Sequence, residues 1–218
     1  MSFSIRIDTL GLIDYSNACA RQKALVAEVV SGGSDTLILC EHPAVITLGR
    51  RSLEANILLG RKDLAQKGVS VISADRGGDV TLHAPGQLII YPIINLKRAG
   101  LDLRQYLQKL EQVAVDLLED FGIVATGDDA RRGVWIGKEK IASIGVGVSR
   151  WVAYHGMGLN VSTDLSLFPL IRPCGMDVRM TSLEKILGRP IDMADVKAKL
   201  GSHFVKIFQE GTRRASDV

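Results

Sequence analysis

The sequence predicts one α/β or α+β domain, spanning residues 1–218, in which mixed β-sheets are flanked by helices. Stretches with helical spacing of apolar residues are interspersed with runs rich in branched residues. Several of these runs follow one another with no helix between them, which argues against a regular winding of strand and helix in turn. A length of 218 residues also suits one compact domain or two closely packed halves.

The helices are predicted from apolar spacing together with residues that begin or end a helix. Asp14 can accept a hydrogen bond from the first turn of the first helix, and Gly122 can end the longest one. Thr181 and Glu184 have the spacing of a capping box for a short helix. The predicted helices cover residues 14–30, 103–121, 182–187 and 192–209.

The strands are predicted from runs rich in branched and apolar residues. Pro92 lies inside one run, and because proline cannot donate to a ladder it favours an edge strand or a bulge there. Residues 137–139 separate two runs and are typical of a hairpin turn. The predicted strands are 36–40, 44–48, 69–72, 88–95, 133–136, 140–148 and 151–155.

Composition excludes several classes of protein. Hydrophobic residues make up 46% of the chain, which excludes disorder, and the net charge of +3 is too small to indicate nucleic-acid binding. No apolar run has the roughly 20 residues of a membrane span, and the first residues do not resemble a signal peptide. The 3 cysteines are few and widely spaced, so we expect no disulfide framework and a cytoplasmic location.

The common nucleotide and hydrolase motifs are absent from the sequence. Residues 133–138 have the wrong spacing for a phosphate loop, and no Gly-x-Gly-x-x-Gly or Gly-x-Ser-x-Gly motif occurs. Cys40 and His42 lie close together but lack the paired spacing of zinc ligands, so no metal site is expected. The simpler interpretation is that Cys40 ends a buried strand and that His42 lies at its mouth.

The segment 76–87, Arg-Gly-Gly-Asp-Val-Thr-Leu-His-Ala-Pro-Gly-Gln, has an unusual density of polar groups and glycines. Its glycines let the backbone approach a ligand closely, while Arg76, Thr81 and His83 supply charge and hydrogen bonds. Two plain turns would explain the glycines and Pro85. They would not explain the three polar side chains, so we interpret the segment as a substrate-binding loop.

Two further side chains are candidates for chemistry. Cys174 lies between Pro173 and Gly175, and Arg172 nearby would favour the reactive thiolate, although most single cysteines are inert. Lys140 begins an alternating run with small residues after it. Such a lysine is ordinarily a solvated charge, but in a cleft it could accept a proton. The segment 155–160 could line an apolar groove or simply end a glycine-rich strand.

Taken together, these motifs resemble the signature of the lipoyl(octanoyl) transferase family. The resemblance extends over roughly residues 35 to 200, in the family's order and spacing. Leu82 departs from it, where the family often has an aromatic residue, and so does Gly158, where alanine is frequent. The matching segments are 40–43 with 47–49, 76–87 with 91–92, 140–145, 155–160 and 173–175.

The resemblance implies a fold, an activity and partners. It implies the catalytic fold of biotin and lipoate ligases, and transfer of an octanoyl or lipoyl group from acyl carrier protein to a lysine of a lipoyl domain. The acceptors would be the lipoyl domains of 2-oxoacid dehydrogenases and the glycine-cleavage H protein, with no cofactor, nucleic acid or membrane involved. Cys174 would carry the acyl thioester and Lys140 would activate it. The acyl-binding positions would be Arg76, Gly77, Gly78, Asp79, Val80, Thr81, Leu82, His83, Ser143, Ile144, Gly145, Gly156, Met157 and Gly158.

The residues suit this chemistry, but other functions stay open. A thioester donor needs no ATP, in keeping with the missing phosphate loops, and basic pairs could steer an acidic carrier protein or be plain surface. An ATP-dependent lipoate or biotin ligase, a non-catalytic acyl-binding protein and a cysteine hydrolase are the alternatives. The basic pairs are 50–51, 61–62, 97–98 and 131–132.

Overall fold

The computed structural model describes residues 5–172 and 178–213, with side chains as far as residue 209. Its strands are β1 Ile5–Leu12, β2 Asp35–Glu41, β3 Val45–Leu48, β4 Ser70–Ser73, β5 Val80–His83, β6 Gln87–Asn95, β7 Thr126–Gly127, β8 Gly133–Ile136, β9 Glu139–Ser149 and β10 Val152–Asn160. Its helices are α1 Tyr15–Val30, α2 Arg61–Gln66, α3 Leu103–Glu119, α4 Leu183–Leu187 and α5 Met193–Arg213. Short 3₁₀ turns cover Glu54–Asn56 and Leu165–Leu170.

The strands form two sheets, and both are mixed as the sequence predicts. The larger sheet has the order β1-β2-β6-β10-β9-β8-β7, and the smaller has the order β4-β3-β5. In the larger sheet β1 is parallel to β2, whereas β6, β10, β9 and β8 pair antiparallel with their neighbours. In the smaller sheet β3 is parallel to β4 and antiparallel to β5.

The larger sheet is covered by helices on both faces, and strand β6 shows how its residues divide between them. Leu88, Ile90 and Ile94 pack with α3 and α5. Ile89 and Ile93 pack with α1 on the other face. Because side chains alternate across a strand, every position of β6 but the last is buried on one face or the other. This explains why the sequence of β6 is almost continuously apolar.

Two local predictions are wrong in detail, the one for Pro92 and the one for the cap of helix α4. Pro92 is not on an edge strand, because β6 lies between β2 and β10. The ladder to β10 is nevertheless interrupted opposite Pro92, between the pairs Ala153–Ile94 and Met157–Ile90. Here His155 has a positive φ of 56° and its amide donates to Gln22 Oε1 rather than to β6. Pro92 has no N–H to donate to β10. The sheet tolerates this because His155, the residue opposite it on β10, has its own amide turned toward Gln22.

The cap of α4 is Ser182 rather than Thr181. The Ser182 side chain accepts from the amide of Lys185, whereas Glu184 accepts from the amide of Ile191. Thr181 is buried before the helix begins. The predicted helix is therefore present, but its first turn is capped one residue later. The prediction for α1 is confirmed, with Asp14 accepting from the amide of Ser16.

Several elements were not predicted. Strand β1, helix α2, the two-residue β7 and both 3₁₀ turns are absent from the sequence interpretation, and strand β5 lies inside the segment predicted as a loop. The remaining predicted strands and helices are found with their ends shifted by at most two residues, except that β10 extends five residues and α5 four residues beyond the predicted end. No helix among the described residues is long and apolar enough to span a membrane.

Candidate active site

A cavity of about 580 Å³ lies between the two sheets. It receives residues from β5 of the smaller sheet and from β8, β9 and β10 of the larger one, with α1 and α3 contributing further wall. Lys140 lines it, as does every predicted acyl-binding residue except Leu82. The lining residues outside the predicted catalytic and acyl-binding positions are Tyr15, Arg51, Tyr91, Leu103, Leu107, Asp129, Ala130, Arg131, Arg132, Trp135, Val146, His155 and Val178.

Leu82 does not line this cavity. It is fully buried in the apolar cluster of the smaller sheet, with Ile46, Leu64 and Phe168. Its neighbours Thr81 and His83 do line the cavity, and the alternation along strand β5 gives the reason. The departure of Leu82 from the family pattern therefore concerns the core beneath the site.

Arg76 shapes the loop before β5 by binding its backbone surroundings. Its Nη2 donates to the carbonyl and hydroxyl oxygens of Thr47, its Nε donates to the same hydroxyl, and its Nη1 donates to the carbonyl of Gly77. The side chain is almost entirely buried. The sequence interpretation expected the charge of Arg76 to face a substrate. In the structure, the guanidinium instead makes most of these hydrogen bonds to Thr47 in the cavity wall.

The same loop joins the two sheets. The amide of Gly77 donates to the carbonyl of Val146 on β9. On the other side, the amides of Gly49 and Arg51 donate to the carbonyls of Asp79 and Gly78. A Cβ on Gly49 would lie 2.5 Å from the Gly78 oxygen, so only glycine permits this approach. The glycines therefore serve the packing between the two sheets, whereas their part in binding a ligand stays a prediction.

Asp79 lines the cavity, but its carboxylate is hydrogen-bonded to neighbouring protein groups. Its Oδ2 accepts from Asn56 Nδ2 at 2.6 Å and its Oδ1 accepts from the amide of Leu53. Both Asp79 and Asn56 are buried. The carboxylate therefore anchors the 3₁₀ turn at Glu54–Asn56 to the loop.

Lys140 reaches the cavity because strand β9 carries one extra residue. The pairs Val134–Ala142 and Trp135–Lys140 differ by one position in register, which leaves Ile141 without an opposite residue. In a regular strand, Lys140 and Ser143 would point to opposite faces because their separation is odd. With the bulge between them, both line the cavity.

Protein groups hold the ammonium of Lys140 on two sides. Its Nζ donates to the carbonyl oxygen of Arg132 at 2.9 Å, and it lies 5.2 Å from the centre of the Trp135 ring. Arg131 lies over the same indole at 4.3 Å. The backbone of Lys140 is bound as well, since its amide donates to the Arg179 carbonyl. The lysine is therefore held in place at the wall, in contrast to a solvated surface lysine.

The inner end of the cavity is lined by neutral aromatic and imidazole groups. His83 donates from Nδ1 to Gln87 Oε1, an oxygen that can only accept, so its Nε2 is an acceptor. Burial lowers the pKa of His83 to about 3. Burial also lowers the pKa of His155, whose Nε2 donates to Asp75. The buried hydroxyl of Tyr15 has no hydrogen-bond partner within the described part of the chain.

His42 belongs to the layer behind this lining. Its Nδ1 donates to the carbonyl of Ile13, so its Nε2 accepts from the Tyr91 hydroxyl. Burial lowers the pKa of His42, which keeps it neutral. Cys40 is buried with the apolar residues against α1. The interpretation that Cys40 ends a buried strand is therefore confirmed, and no group of three or more possible metal ligands occurs in residues 5–172 and 178–213.

A directed line of hydrogen bonds connects the inner end of the cavity with Lys140. Gln87 Nε2 donates to Asn160 Oδ1, and Asn160 Nδ2 donates to the carbonyl of Thr181. The amide of Thr181 then donates to the carbonyl of Lys140. Because the Thr181 carbonyl can only accept, Asn160 and then Gln87 each have one orientation. This line assigns Asn160 a structural role at the end of the glycine-rich strand.

The glycines of β9 and β10 allow strands and loop to approach. A Cβ on Gly156 would lie 2.2 Å from the Ile90 carbonyl oxygen, and one on Gly145 would lie 3.1 Å from that of Gly77. A Cβ on Gly158 would instead meet the side chain of Gln87 at 2.9 Å. Two of the three positions are therefore limited by backbone, and the third by a side chain.

Cys174 lies outside the described residues, together with its neighbours from 173 to 177. The described residues on both sides contact the rest of the protein. The amide of Arg172 donates to the carbonyl of Asn56, and Val178 lines the cavity. The activation of Cys174 by Lys140, which the family resemblance implies, thus remains a prediction.

Comparison with known proteins places this arrangement in a family. The family model of the lipoyl protein ligase A/B catalytic domain matches residues 14–205. The chain belongs to this family. The matched range contains every element that lines the cavity.

Curated relatives in the family match over nearly the whole chain. An octanoyltransferase of Geotalea uraniireducens is 45% identical over 208 residues, covering 94% of each chain. One of Nitratidesulfovibrio vulgaris is 46% identical over 201 residues, covering 91% of this chain and 92% of its own. One of Syntrophobacter fumaroxidans is 43% identical over 202 residues, covering 92% and 89%.

Solved structures with the same fold are more distant in sequence. A lipoate-protein ligase A bound with ATP superimposes with a TM-score of 0.77 at 15% identity, covering 93% of this chain and 84% of its own. The biotin protein ligase of Aquifex aeolicus gives 0.60 at 19% identity, covering 95% and 72%. These matches confirm the predicted fold class of the lipoate and biotin ligase catalytic domain.

Sequence signals existed for only some of the lining residues that were missed. Tyr91 and His155 belong to the resembling segments 91–92 and 155–160, and the basic pairs 50–51 and 131–132 were noted for their charge. Trp135 lies in a predicted strand but has no motif around it. Leu103 and Leu107 have the spacing of an ordinary helix stripe, so nothing local marks them as cavity residues.

Proposed function

We propose that this chain transfers an octanoyl group from acyl carrier protein to a lysine of a lipoyl domain, through a thioester on Cys174. The acceptors are the lipoyl domains of 2-oxoacid dehydrogenases and the glycine-cleavage H protein. The observation that carries the proposal is the 45% identity to an octanoyltransferase over 94% of both chains. The apolar cavity beside a held lysine supports it.

In the first half-reaction Lys140, as the neutral amine, takes the proton of the Cys174 thiol. The sulfur then attacks the carbonyl carbon of the donor thioester and forms a new carbon–sulfur bond. The bond from that carbon to the carrier's thiol breaks. The departing thiolate takes the proton back from Lys140, so the base returns to its starting state.

In the second half-reaction the amine of the acceptor lysine attacks the thioester on Cys174. A carbon–nitrogen bond forms, and the carbon–sulfur bond to Cys174 breaks. Lys140 takes the proton that the acceptor nitrogen loses and passes it to the cysteine sulfur. The carbonyl of Arg132 would hold the lysine nitrogen on the cavity wall in both steps, and the Trp135 ring would stabilise it whenever it carries the proton.

The cavity suits an acyl tail. Its wall includes Val80, Ile144 and Met157, with glycines where the backbone itself forms the surface. Burying each CH₂ contributes about 0.8 kcal/mol, so an octanoyl tail contributes roughly 5 kcal/mol if it is fully buried. That energy is enough for the site to select chain length.

The carrier protein would approach from the side on which basic residues reach the cavity. Of the basic pairs noted in the sequence, 50–51 and 131–132 contribute lining residues, whereas neither 61–62 nor 97–98 does. Arg51 is exposed there. Positive charge at the mouth would steer an acidic carrier toward the site.

The decisive experiment is intact-mass analysis of the protein after mixing with octanoyl carrier protein in the absence of ATP. We expect the chain to gain the mass of one octanoyl group, mapped to Cys174 and released by an acceptor lipoyl domain. Cys174→Ala should abolish the adduct, while Cys19→Ala, at a half-buried helix position, should retain it. A requirement for ATP would favour a ligase, and release of free octanoate without acceptor would favour a hydrolase.

We further propose that one catalytic domain spans residues 1–218 and that the protein works in the cytoplasm. The match of the family model to residues 14–205 supports the first statement. The few, separate cysteines support the second, since Cys19 and Cys40 form no disulfide in the structure.

A further inference from the structure

We propose that Glu111 on helix α3 is a positioning residue for Lys140, and that it acts through the peptide group between Arg132 and Gly133. The inference rests on the proposed function, in which Lys140 moves the proton. Glu111 is buried, with only 5% of its surface exposed. A buried carboxylate so close to a catalytic lysine requires a structural account, because its desolvation is costly unless it is paired.

Glu111 and Lys140 bind opposite ends of one peptide group. The amide of Gly133 donates to Glu111 Oε1 at 3.1 Å. The carbonyl of the same peptide, that of Arg132, accepts from Lys140 Nζ at 2.9 Å. A peptide group is planar and rigid, so fixing its N–H end also fixes the direction of its carbonyl. The carboxylate therefore sets where the ammonium is held.

The second oxygen of the carboxylate prevents the peptide from rotating. Glu111 Oε2 accepts from Arg132 Nη1 at 3.1 Å, and the same nitrogen donates to Asp129. Glu111 thus binds the residue that supplies the carbonyl and the residue that supplies the amide. A charged acceptor at the amide also polarises the peptide, which strengthens the carbonyl as an acceptor for Lys140.

Two glycines make this arrangement possible. Gly133 has a φ of 139°, and a Cβ there would lie 2.5 Å from Cε of Lys140. A Cβ on Gly127 would lie 2.9 Å from Oε2 of Glu111. Since neither position leaves space for a side chain, the carboxylate and the lysine stem are confined on either side of strand β8. The packing thereby selects one position for each.

A purely structural role is the alternative, in which Glu111 only closes the end of strand β8. The two roles differ in what a substitution changes. Loss of a structural bond lowers stability and leaves the rate of the folded enzyme unaltered. Loss of positioning lowers the rate constant for acyl transfer at saturating donor, with little change in KM, because the lysine does not bind the donor.

The test is a series of variants at one position, Glu111→Gln, Glu111→Asp and Glu111→Ala, each measured as full-length protein. The readouts are thermal unfolding and the rate of acyl-enzyme formation from octanoyl carrier protein. Gln can still accept from the Gly133 amide but not from Arg132 as well, so we expect it to keep more of the rate than Asp or Ala. Asp is too short to reach, and Ala has no acceptor. For both we expect a decrease of about 10²-fold in the rate constant, the cost of a misplacement of about 1 Å.

Glu119→Gln is the matched control, because Glu119 is exposed on the same helix. Folded Asp and Ala variants with the wild-type rate constant would overturn the inference. If Ala does not fold, the comparison of Asp with Gln decides: Asp slower than Gln supports positioning, and equal rates reject it. Lys140→Ala and Cys174→Ala are measured alongside: a wild-type rate in the first would refute the role of Lys140 as the base, and one in the second would refute the proposed function itself.

Discussion

Arg76 Nη2 donates to both oxygens of Thr47, at 2.6 Å to the carbonyl and 2.8 Å to the hydroxyl. These bonds join the glycine-rich loop to strand β3, and Thr47 itself is fully buried. Since the guanidinium is almost entirely buried as well, its hydrogen bonds to Thr47 compensate for lost hydration. The segment 76–87, which marks the site in the sequence, therefore also stabilises the wall of the cavity through Arg76.

Thr47→Val should destabilise the fold while preserving side-chain shape. The substitution removes the hydroxyl that accepts from Arg76 Nε and Nη2. A buried charged donor that loses its acceptor costs about 1–3 kcal/mol. Urea denaturation measures the loss, with Thr9→Val at an exposed strand position as the control. Equal unfolding free energies for the two variants would contradict the role of the hydroxyl.

Acid should destabilise the protein below about pH 6.5 through its buried histidines. Burial lowers the pKa values of His42, His83 and His155, that of His83 to about 3. The unfolded chain therefore binds more protons than the folded one in this range. Through His83 the free energy of unfolding then falls by about 1.4 kcal/mol per pH unit, and His42 and His155 add to the loss in the same direction.

His83→Gln isolates one of these contributions. The variant should lose about 2 kcal/mol less stability than the wild type between pH 6.5 and pH 5. Urea denaturation at a series of pH values gives the two curves. Curves that stay parallel over this range would show that His83 takes up its proton in the folded protein.

Gly156→Ala and Gly158→Ala should differ sharply although both glycines line the cavity. At Gly156 the new methyl group meets the carbonyl oxygen of Ile90. This oxygen belongs to the backbone of the central strand β6, so moving it would displace the strand. At Gly158 the methyl group meets the end of the Gln87 side chain. We expect a loss of about 2 kcal/mol or more for Gly156→Ala, typical of overpacking, and a smaller loss for Gly158→Ala.

The two variants are compared by thermal unfolding and by activity. Gly158→Ala should fold and should alter the rate with octanoyl donor, since Gln87 holds His83 in the wall. Alanine is frequent at this position in the family that the sequence resembles, which agrees with the expectation that Gly158→Ala folds. A Gly156→Ala protein as stable as wild type would mean that the strands can separate locally.

Arg51→Glu should weaken use of the carrier protein without changing the chemical step. Arg51 is an exposed lining residue of the cavity, and reversing its charge repels an acidic partner. We expect kcat/KM for octanoyl carrier protein to fall about tenfold at low salt and to approach the wild-type value at high salt. Lys62→Glu makes the same charge change at a site that does not line the cavity. Equal effects of both variants would exclude a local docking role.

Much of the fold follows from local sequence signals. Helix α1 begins after the cap at Asp14, and α3 after the cap at Asp102, because capping and apolar spacing act within one or two turns. The hairpin between β8 and β9 follows from the turn at 137–139 for the same reason. Motifs that lie in one segment, such as 76–83 and 156–158, were likewise found, and the cavity receives all of them but Leu82.

Only the tertiary structure decided how distant residues meet. The bulge that brings Lys140 to the face of Ser143 depends on the register of β8 against β9, and Pro92 lies in a central strand because of pairings on both of its sides. In the sequence, nothing distinguishes Glu111 from the other polar residues of its helix, yet it accepts a hydrogen bond from the backbone amide of Gly133, 22 residues away. Capping and periodicity are short-range effects, whereas register and burial depend on the packing of the whole chain, so no local pattern could have specified them.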